Sequence, residues 1–427
     1  MPITEDLLCY LWKFRLFELN DLKTVSGDTV EIINPGFRNT DSGPDFSEAK
    51  IRIGDTLWAG NVELHLNSSD WVKHAHTTNK AYDSVILHVV YSHDLPISRT
   101  DGTLIQTLEL KGRIPLQIES KYHDLMQNLY WIPCENKLKE VDNFIISNWL
   151  SRVLIERLEL KSREVLNLVE EQKGSWDDAF YIAMARNFGF KTNALPFEML
   201  ARALPQQILA KHKNNSLQTE ALIFGQAGFL KDAIEDSYHR QLKIEYSYLR
   251  KKYKLIPIDV YLWKFLRLRP NNFPTVRLAQ FAALVTNSNH LFSKVIEIRE
   301  KKELGKLFEN LPVNSYWETH FRFVKVTEPA SKQLGKESIN NILLNTVAIF
   351  IFSYGKYIGN SSLTKRAIEL LESLPGETNS IVNRYNSIGL KSPGADASQA
   401  LLQLKKYYCD TKKCLSCGIG VKLLKHD

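Results

Sequence analysis

Phe46-Ser47-Glu48-Ala49-Lys50-Ile51-Arg52-Ile53, then Gly54-Asp55, then Thr56-Leu57-Trp58-Ala59-Gly60-Asn61-Val62-Glu63-Leu64-His65-Leu66 is the stretch that decides the fold. Both runs are rich in aliphatic and aromatic residues, and Gly-Asp is a hairpin turn pair, so the stretch predicts a two-stranded ribbon. Side chains at i and i+2 share a face of a strand, which sets Glu63 and His65 on one side and Val62, Leu64 and Leu66 on the other. Asp45 begins the first strand at the end far from the turn, and Glu63-Leu64-His65 lies at that same end of the second. One cation can therefore touch Asp45, Glu63 and His65. Two carboxylates and a neutral imidazole suit Mg²⁺, Mn²⁺ or Zn²⁺, and an ion held there polarises a phosphoryl group and acidifies a bound water.

Working outward, Thr4-Glu5-Asp6 is an N-cap with acidic residues in the first turn. Leu7, Leu8, Leu11, Trp12, Phe14 and Leu16 follow at helical spacing, so residues 4–18 predict an amphipathic helix. Thr29–Ile33 predicts a strand ending at Asn34-Pro35-Gly36, followed by a polar loop to Ser42. Residues 70–82 fit either a short helix or an irregular loop, Ser84–Ser92 predicts a buried central strand, Thr103–Leu110 another strand, and residues 114–130 a closing segment. Five of the eleven histidines fall between His65 and His93. His74 and His76 share a face only in a strand and diverge by about 200° on a helix. His88, in an apolar strand, needs a hydrogen-bond partner for its ring if buried. These three are candidates for further metal ligation or acid/base chemistry.

Pro44-Asp45, Glu63 and His65 resemble the motif of the PD-(D/E)xK nuclease superfamily, with histidine at the position of that family's lysine. The predicted order of helix, three strands, short helix or loop and strand also resembles the superfamily's core. The resemblance implies a metal-dependent nuclease or phosphodiesterase in which Asp45 and Glu63 hold the ion. Histidine can replace the lysine as base or ligand but not as a permanent cation. A second resemblance spans nearly the whole chain. Asn34-Pro35-Gly36, Gly43-Pro44-Asp45-Phe46, Gly60 to His65, Asp70-Trp71, His74-Ala75-His76, Leu87-His88-Val89-Val90, Gly225 to Leu230 and the segment Tyr408-Cys409 to Cys417 look like the DUF2851 family of bacterial proteins, which implies a family but no activity.

A chain of 427 residues with 44% apolar residues is too long for one ordinary core. The expected class is α+β: a mixed-sheet N-terminal domain over residues 1–135, a larger all-α domain over 140–405, and a cysteine-rich tail over 406–427. Helices are predicted at 144–169, 176–187, 195–203, 218–225, 232–251, 339–352, 363–374 and 398–408, with Pro196, Pro257 and Pro274 placed where helices begin. No run reaches the length of a membrane span and no signal peptide is evident at the start, so the expected location is cytoplasmic, away from membranes.

Charge is uneven. Residues 1–130 hold 12 Lys/Arg against 18 Asp/Glu, and the remainder holds 43 against 30. A basic helical domain suits a polyanion such as nucleic acid, although ordinary surface charge gives the same balance. Within it, Trp263 to Phe273 followed by Arg277 interleaves aromatics with Lys264, Arg267 and Arg269, which makes these four cations candidate nucleic-acid contacts, against a helix with its aromatics inward. Gly225-Gln226-Ala227-Gly228 allows close backbone approach, to another helix or to a phosphate. Cys409, Cys414 and Cys417 crowd into nine residues. Reduced thiols binding zinc or an iron–sulfur cluster are expected there, with the fourth ligand left open among His426, Cys134 and Cys9. The alternatives to a nuclease are a non-catalytic nucleic-acid-binding or assembly protein and a metal hydrolase acting on a small molecule.

Overall fold

A computed structural model describes residues 3–39 and 42–425. Helix α1 (Glu5–Phe14) starts at Thr4, whose hydroxyl accepts from the Leu7 amide at 3.2 Å, and its buried face carries Leu7, Leu8, Leu11 and Trp12. The chain then builds one mixed sheet from β1 (Val30–Asn34), β2 (Phe37–Arg38), β3 (Phe46–Ile53), β4 (Thr56–Asn67), β5 (Val85–Ser92) and β6 (Thr107–Glu109). The order is β1-β3-β4-β5-β6, with β2 alongside β3. The strands are antiparallel from β1 to β4, and β4, β5 and β6 run parallel.

The hairpin forms as its sequence predicts. Ile53 pairs with Thr56 across Gly54-Asp55, and Phe46 pairs with Val62, which brings Asp45 beside Glu63. The parallel step from β4 to β5 requires a crossover. It is made by α2 (Asp70–Lys73) and two tight turns, His76–Thr78 and Lys80–Tyr82. Residues 85–90 of β5 are all buried, as a strand covered on both faces should be.

Two departures are informative. The predicted polar loop after Gly36 contains β2, because the Asn34 side chain accepts from the Gly36 amide at 3.0 Å and turns the chain sharply back along β3. Gly36 has φ +90, and a Cβ there would stand 2.5 Å from the Ser47 carbonyl oxygen, so only glycine passes so close. The strand expected over residues 103–110 shortens to β6, because Asp101 Oδ1 ties the Thr103 amide into a turn at 2.9 Å. Residues 114–130 contain helix α3 (Leu116–Gln127).

The chain divides into two compact units, Met1–Trp149 with Leu404–Asp427, and Leu150–Gln403. The tail, read from sequence as a separate segment, therefore folds with the sheet. Its last helix, Gly418–Lys425, is fastened there by Tyr10 Oη donating to the Val421 carbonyl at 3.3 Å and by Lys425 Nζ lying 3.5 Å from the centre of the Phe14 ring.

The second unit is helical. Trp176–Phe188, Ala194–Ala203, Ser216–Gln226 and Ser237–Tyr253 lie close to where apolar periodicity placed them. Pro274 opens the helix Pro274–Asn287, whereas Pro257 opens none. Lys336–Tyr357 is 22 residues long and, by length and composition, apolar enough to cross a membrane, which corrects the expectation that no run is. It is mostly buried, as the core helix of a soluble fold also is.

Candidate metal centre

Glu63 and His65 project from the same face of β4, as alternation requires, and both are nearly inaccessible, at 6% and 2% exposure. His74 and His76 reach them by irregular backbone. Helix α2 ends at Lys73, and Ala75 takes a left-handed conformation (φ 60) between that end and the following turn. The two rings thus meet on neither a strand nor a helix. His65, His74 and His76 each offer a ligand atom, and these atoms lie within 4.8 Å of one another.

Glu63 lies beside two of these rings. Its Oε1 is 3.4 Å from His76 Nε2 and 3.6 Å from His65 Nε2, and His65 Nε2 is 3.0 Å from His74 Nδ1. Donor atoms around a tetrahedral ion with bonds of about 2.0–2.1 Å stand roughly 3.3 Å apart, close to these three separations. On its other side His65 Nδ1 lies 2.8 Å from His88 Nε2. With the proton on Nδ1, His65 donates to His88 and keeps the Nε2 lone pair directed at the cluster, the arrangement by which an outer partner orients a ligating histidine. Trp71 packs edge-on against His76 and His88, and Tyr82 stacks on His76 at 3.7 Å.

Burial first, then the neighbouring imidazoles, pushes His65 down to about 3, and burial with His74 pushes His76 down to about 4. His88 is likewise held well below the usual histidine range, chiefly by burial. These rings are neutral at pH 7, the form that binds metal. Burial, reinforced by the charge of Asp45, pushes the Glu63 carboxyl up to about 8. A divalent ion beside this carboxyl would favour its ionised form.

Asp45, expected as a ligand, is placed otherwise. Its Oδ1 pairs with Arg38, its Oδ2 accepts from the Leu64 amide at 3.0 Å, and its own amide donates to Glu63 Oε2 at 2.9 Å. It braces Glu63 and is not among the converging ligand atoms. His88 stands behind His65 rather than in the group, and none of the tail cysteines enters it. His426, one candidate for the fourth tail ligand, lies outside the described residues.

Sequence reasoning missed Arg38, because a two-residue strand leaves no periodic signal. It also missed Glu5, whose carboxyl is raised by burial and feels His74 and Asp45 from the start of α1. An acidic residue in a first helical turn already has an explanation in the helix dipole, so nothing marked it for this role.

The candidate nucleic-acid segment divides. Lys264, Arg267 and Arg269 are exposed, on irregular chain between short turns rather than on a helix. Arg277 is 5% exposed, donates to Gln280 Oε1 at 3.0 Å and to Ser338 Oγ at 3.1 Å, and stacks on Phe190. A guanidinium so enclosed reaches no phosphate, which corrects its assignment. The interleaved aromatics are also engaged, with Trp263 donating to the Ala227 carbonyl at 2.8 Å and Arg322 lying over both Phe265 and Phe273. Gly225 lies directly on the Tyr246 ring and Gly228 against the backbone of Ile258 and Val260, so both glycines serve close packing.

The model for the family described as "Protein of unknown function (DUF2851)" matches residues 5–380. The chain belongs to this family. No curated protein and no solved structure matches it. In this DUF2851 chain the match takes in the histidine cluster and most of the helical unit, and stops before Cys409, Cys414 and Cys417.

Proposed function

We propose that this protein is a metal-dependent hydrolase whose ion is held by His65, His74 and His76, and that it cleaves phosphodiesters, with nucleic acid as the polyanion. The observation that carries the reading is the convergence of three imidazoles, with the Glu63 carboxyl beside two of them. Three imidazoles favour zinc over magnesium and manganese, which prefer oxygen.

A divalent ion held by His65, His74 and His76 would supply Lewis acidity and lower the pKa of a bound water. His88 orients His65 through Nδ1, and Asp45, fixed by Arg38, holds the Glu63 carboxyl through its amide. Glu63 Oε1 faces the cluster and, with an ion bound, would be placed to accept the proton of a water there. This differs from the PD-(D/E)xK arrangement, since Asp45 braces the site and His65 replaces the lysine as a ligand.

The choice of a polyanion rests on the basic balance of the helical unit and on a cavity of about 890 Å³ within it. Lys231, Lys243, Arg250, Lys251 and Lys254 line that cavity against the single carboxylate of Asp259. A cytoplasmic location, with Lys336–Tyr357 as a core helix, belongs to the same proposal.

The test is to load the protein with Zn²⁺ or Mn²⁺ and assay bis(p-nitrophenyl) phosphate and a single-stranded oligonucleotide. Changing His65 and His76 together to alanine should remove one equivalent of metal and lower turnover at least about 10²-fold. A metal content in that variant unchanged from the wild type overturns the site. Metal-dependent turnover of carboxylic esters or amides alone moves the reading to a small-molecule hydrolase, and oligonucleotide binding without turnover moves it to a binding protein.

A further inference from the structure

We propose that the basic cavity of the helical unit is a binding site for single-stranded nucleic acid, in which a row of cations takes the phosphates and Tyr261 takes a base. This rests on the reading above only in taking nucleic acid as the polyanion, and it concerns binding rather than cleavage.

The row is built into one helix. Lys243, Arg250, Lys251 and the left-handed cap Lys254 stand at i, i+7, i+8 and i+11 along Ser237–Tyr253, the spacing of one helical face. At 1.5 Å per residue they extend over about 16 Å. Lys231 joins them from the chain before the helix, where its carbonyl accepts from Lys243 Nζ at 3.0 Å. Arg250 Nε donates to the Leu255 carbonyl at 3.3 Å, which leaves both terminal nitrogens unengaged. Cations in a last helical turn complement the helix dipole, and that accounts for Arg250 and Lys251. It does not account for Lys243 in mid-helix or for Lys231 outside it.

Nor are these charges neutralised. Among the described residues none of the five pairs with a carboxylate, and Asp259 is the one acid among those lining the cavity. A cavity of about 640 Å³ in the same unit differs, since there Lys161 pairs with Glu164 at 2.8 Å, Arg202 with Glu171 at 2.9 Å, and Arg186 with Glu198. Like charges gathered without counter-ions repel one another, and an anionic ligand removes that cost.

The segment Leu255–Tyr261 forms a fixed wall of the cavity. The Ile258 amide donates to the Gln226 carbonyl at 2.9 Å, and the Gln226 side chain accepts from Tyr246 Oη at 3.0 Å. Gly228, at φ 84, lies so close to this wall that a Cβ would stand 2.4 Å from the Ile258 carbonyl oxygen. Tyr261 ends the segment at 77% exposure, and among the described residues no ring packs on it and no hydrogen bond holds its hydroxyl. An unoccupied aromatic face beside unpaired cations is the combination that holds a single strand, because only a base released from a duplex can stack on it.

The experiment measures, by fluorescence anisotropy, the binding of a labelled oligothymidylate of about 12 nucleotides to metal-free protein carrying the His65/His76 double alanine change, so that no turnover enters. The single strand should bind at least about tenfold more tightly than a duplex of the same length. Changing Lys251 and Lys254 to alanine should make the slope of log affinity against log salt shallower by about 1.4, two contacts at about 0.7 each. Changing the exposed Lys302 and Lys365 to alanine removes the same charge elsewhere and should leave the slope as it was. Tyr261→Ala, which alters no charge, should weaken binding about 5- to 100-fold, and Tyr261→Trp should restore it. Equal affinity for the duplex, the same loss of slope in both lysine pairs, full affinity in Tyr261→Ala, or competition by inorganic polyphosphate as effective as by unlabelled oligonucleotide would overturn the proposal. An oligonucleotide bound in this way but left intact by the zinc-loaded wild type refutes the hydrolase and leaves this site standing. Cleavage with binding unaffected by the Lys251/Lys254 and Tyr261 changes refutes this site alone.

Discussion

Glu63 in the sheet unit and Glu220 in the helical unit are buried to the same degree, 6% and 5% exposed, and burial raises both carboxyls. Their surroundings differ in kind. Glu220 Oε2 accepts from Tyr238 Oη at 2.7 Å and from Asn314 Nδ2 at 3.0 Å, so donors meet an acceptor and the network is complete. Glu63 Oε1 faces two imidazole nitrogens at 3.4 and 3.6 Å, beyond good hydrogen-bonding distance, beside the hydrogen-bonded pair His65 and His74. A buried polar network closed on itself builds structure. One made of ligands alone is complete only with an ion.

The largest separation between the two should appear in stability. Glu220→Ala, which strands two buried donors, should cost about 2–3 kcal/mol with or without metal, read by denaturant unfolding. Glu63→Gln in metal-stripped protein should cost little. The folded carboxyl keeps its proton up to about pH 8 whereas the unfolded one loses it near 4.5, so stripped wild-type protein should lose stability as pH rises across that interval. Glu63→Gln should abolish this slope, and zinc should abolish it in the wild type. A slope that persists in Glu63→Gln would break the comparison.

An intermediate effect is expected at His88. His88→Phe removes the partner of His65 Nδ1 and should weaken metal binding about 10–100-fold by titration, with His88→Gln recovering part of it. Unchanged affinity would make His88 a packing residue only.

The smallest effect concerns the helical unit's exposed cations. Changing Arg267 and Arg269 to alanine should leave stability within about 0.5 kcal/mol, yet reduce the salt dependence of oligonucleotide binding measured by fluorescence anisotropy. An unaltered salt slope would confine polyanion contacts elsewhere.

Local chemistry along the chain determined the elements and some of the site. Alternation in residues 46–66 set the hairpin and placed Glu63 and His65 on one face, and the Gly54-Asp55 turn then forced Asp45 to the same end. Apolar periodicity located the long helices, and spacing alone drew attention to Cys409, Cys414 and Cys417. These features were legible because they depend on neighbours a few residues apart. The tertiary structure decided everything that depended on irregular backbone or on distant segments meeting. Ala75 in a left-handed turn brings His74 and His76 together, a two-residue strand brings Arg38 to Asp45, and the fold buries Arg277 although its flanking sequence reads as a basic surface. The tail meets the segment after α3 although they are remote in sequence, as Lys412 Nζ, donating to the Met126 carbonyl across 286 residues, illustrates. Hydrophobic period specifies which face a side chain takes on its own element. Which faces then meet depends on crossovers and turns whose φ values carry no period, and so the ligand set emerged only when the chain was folded.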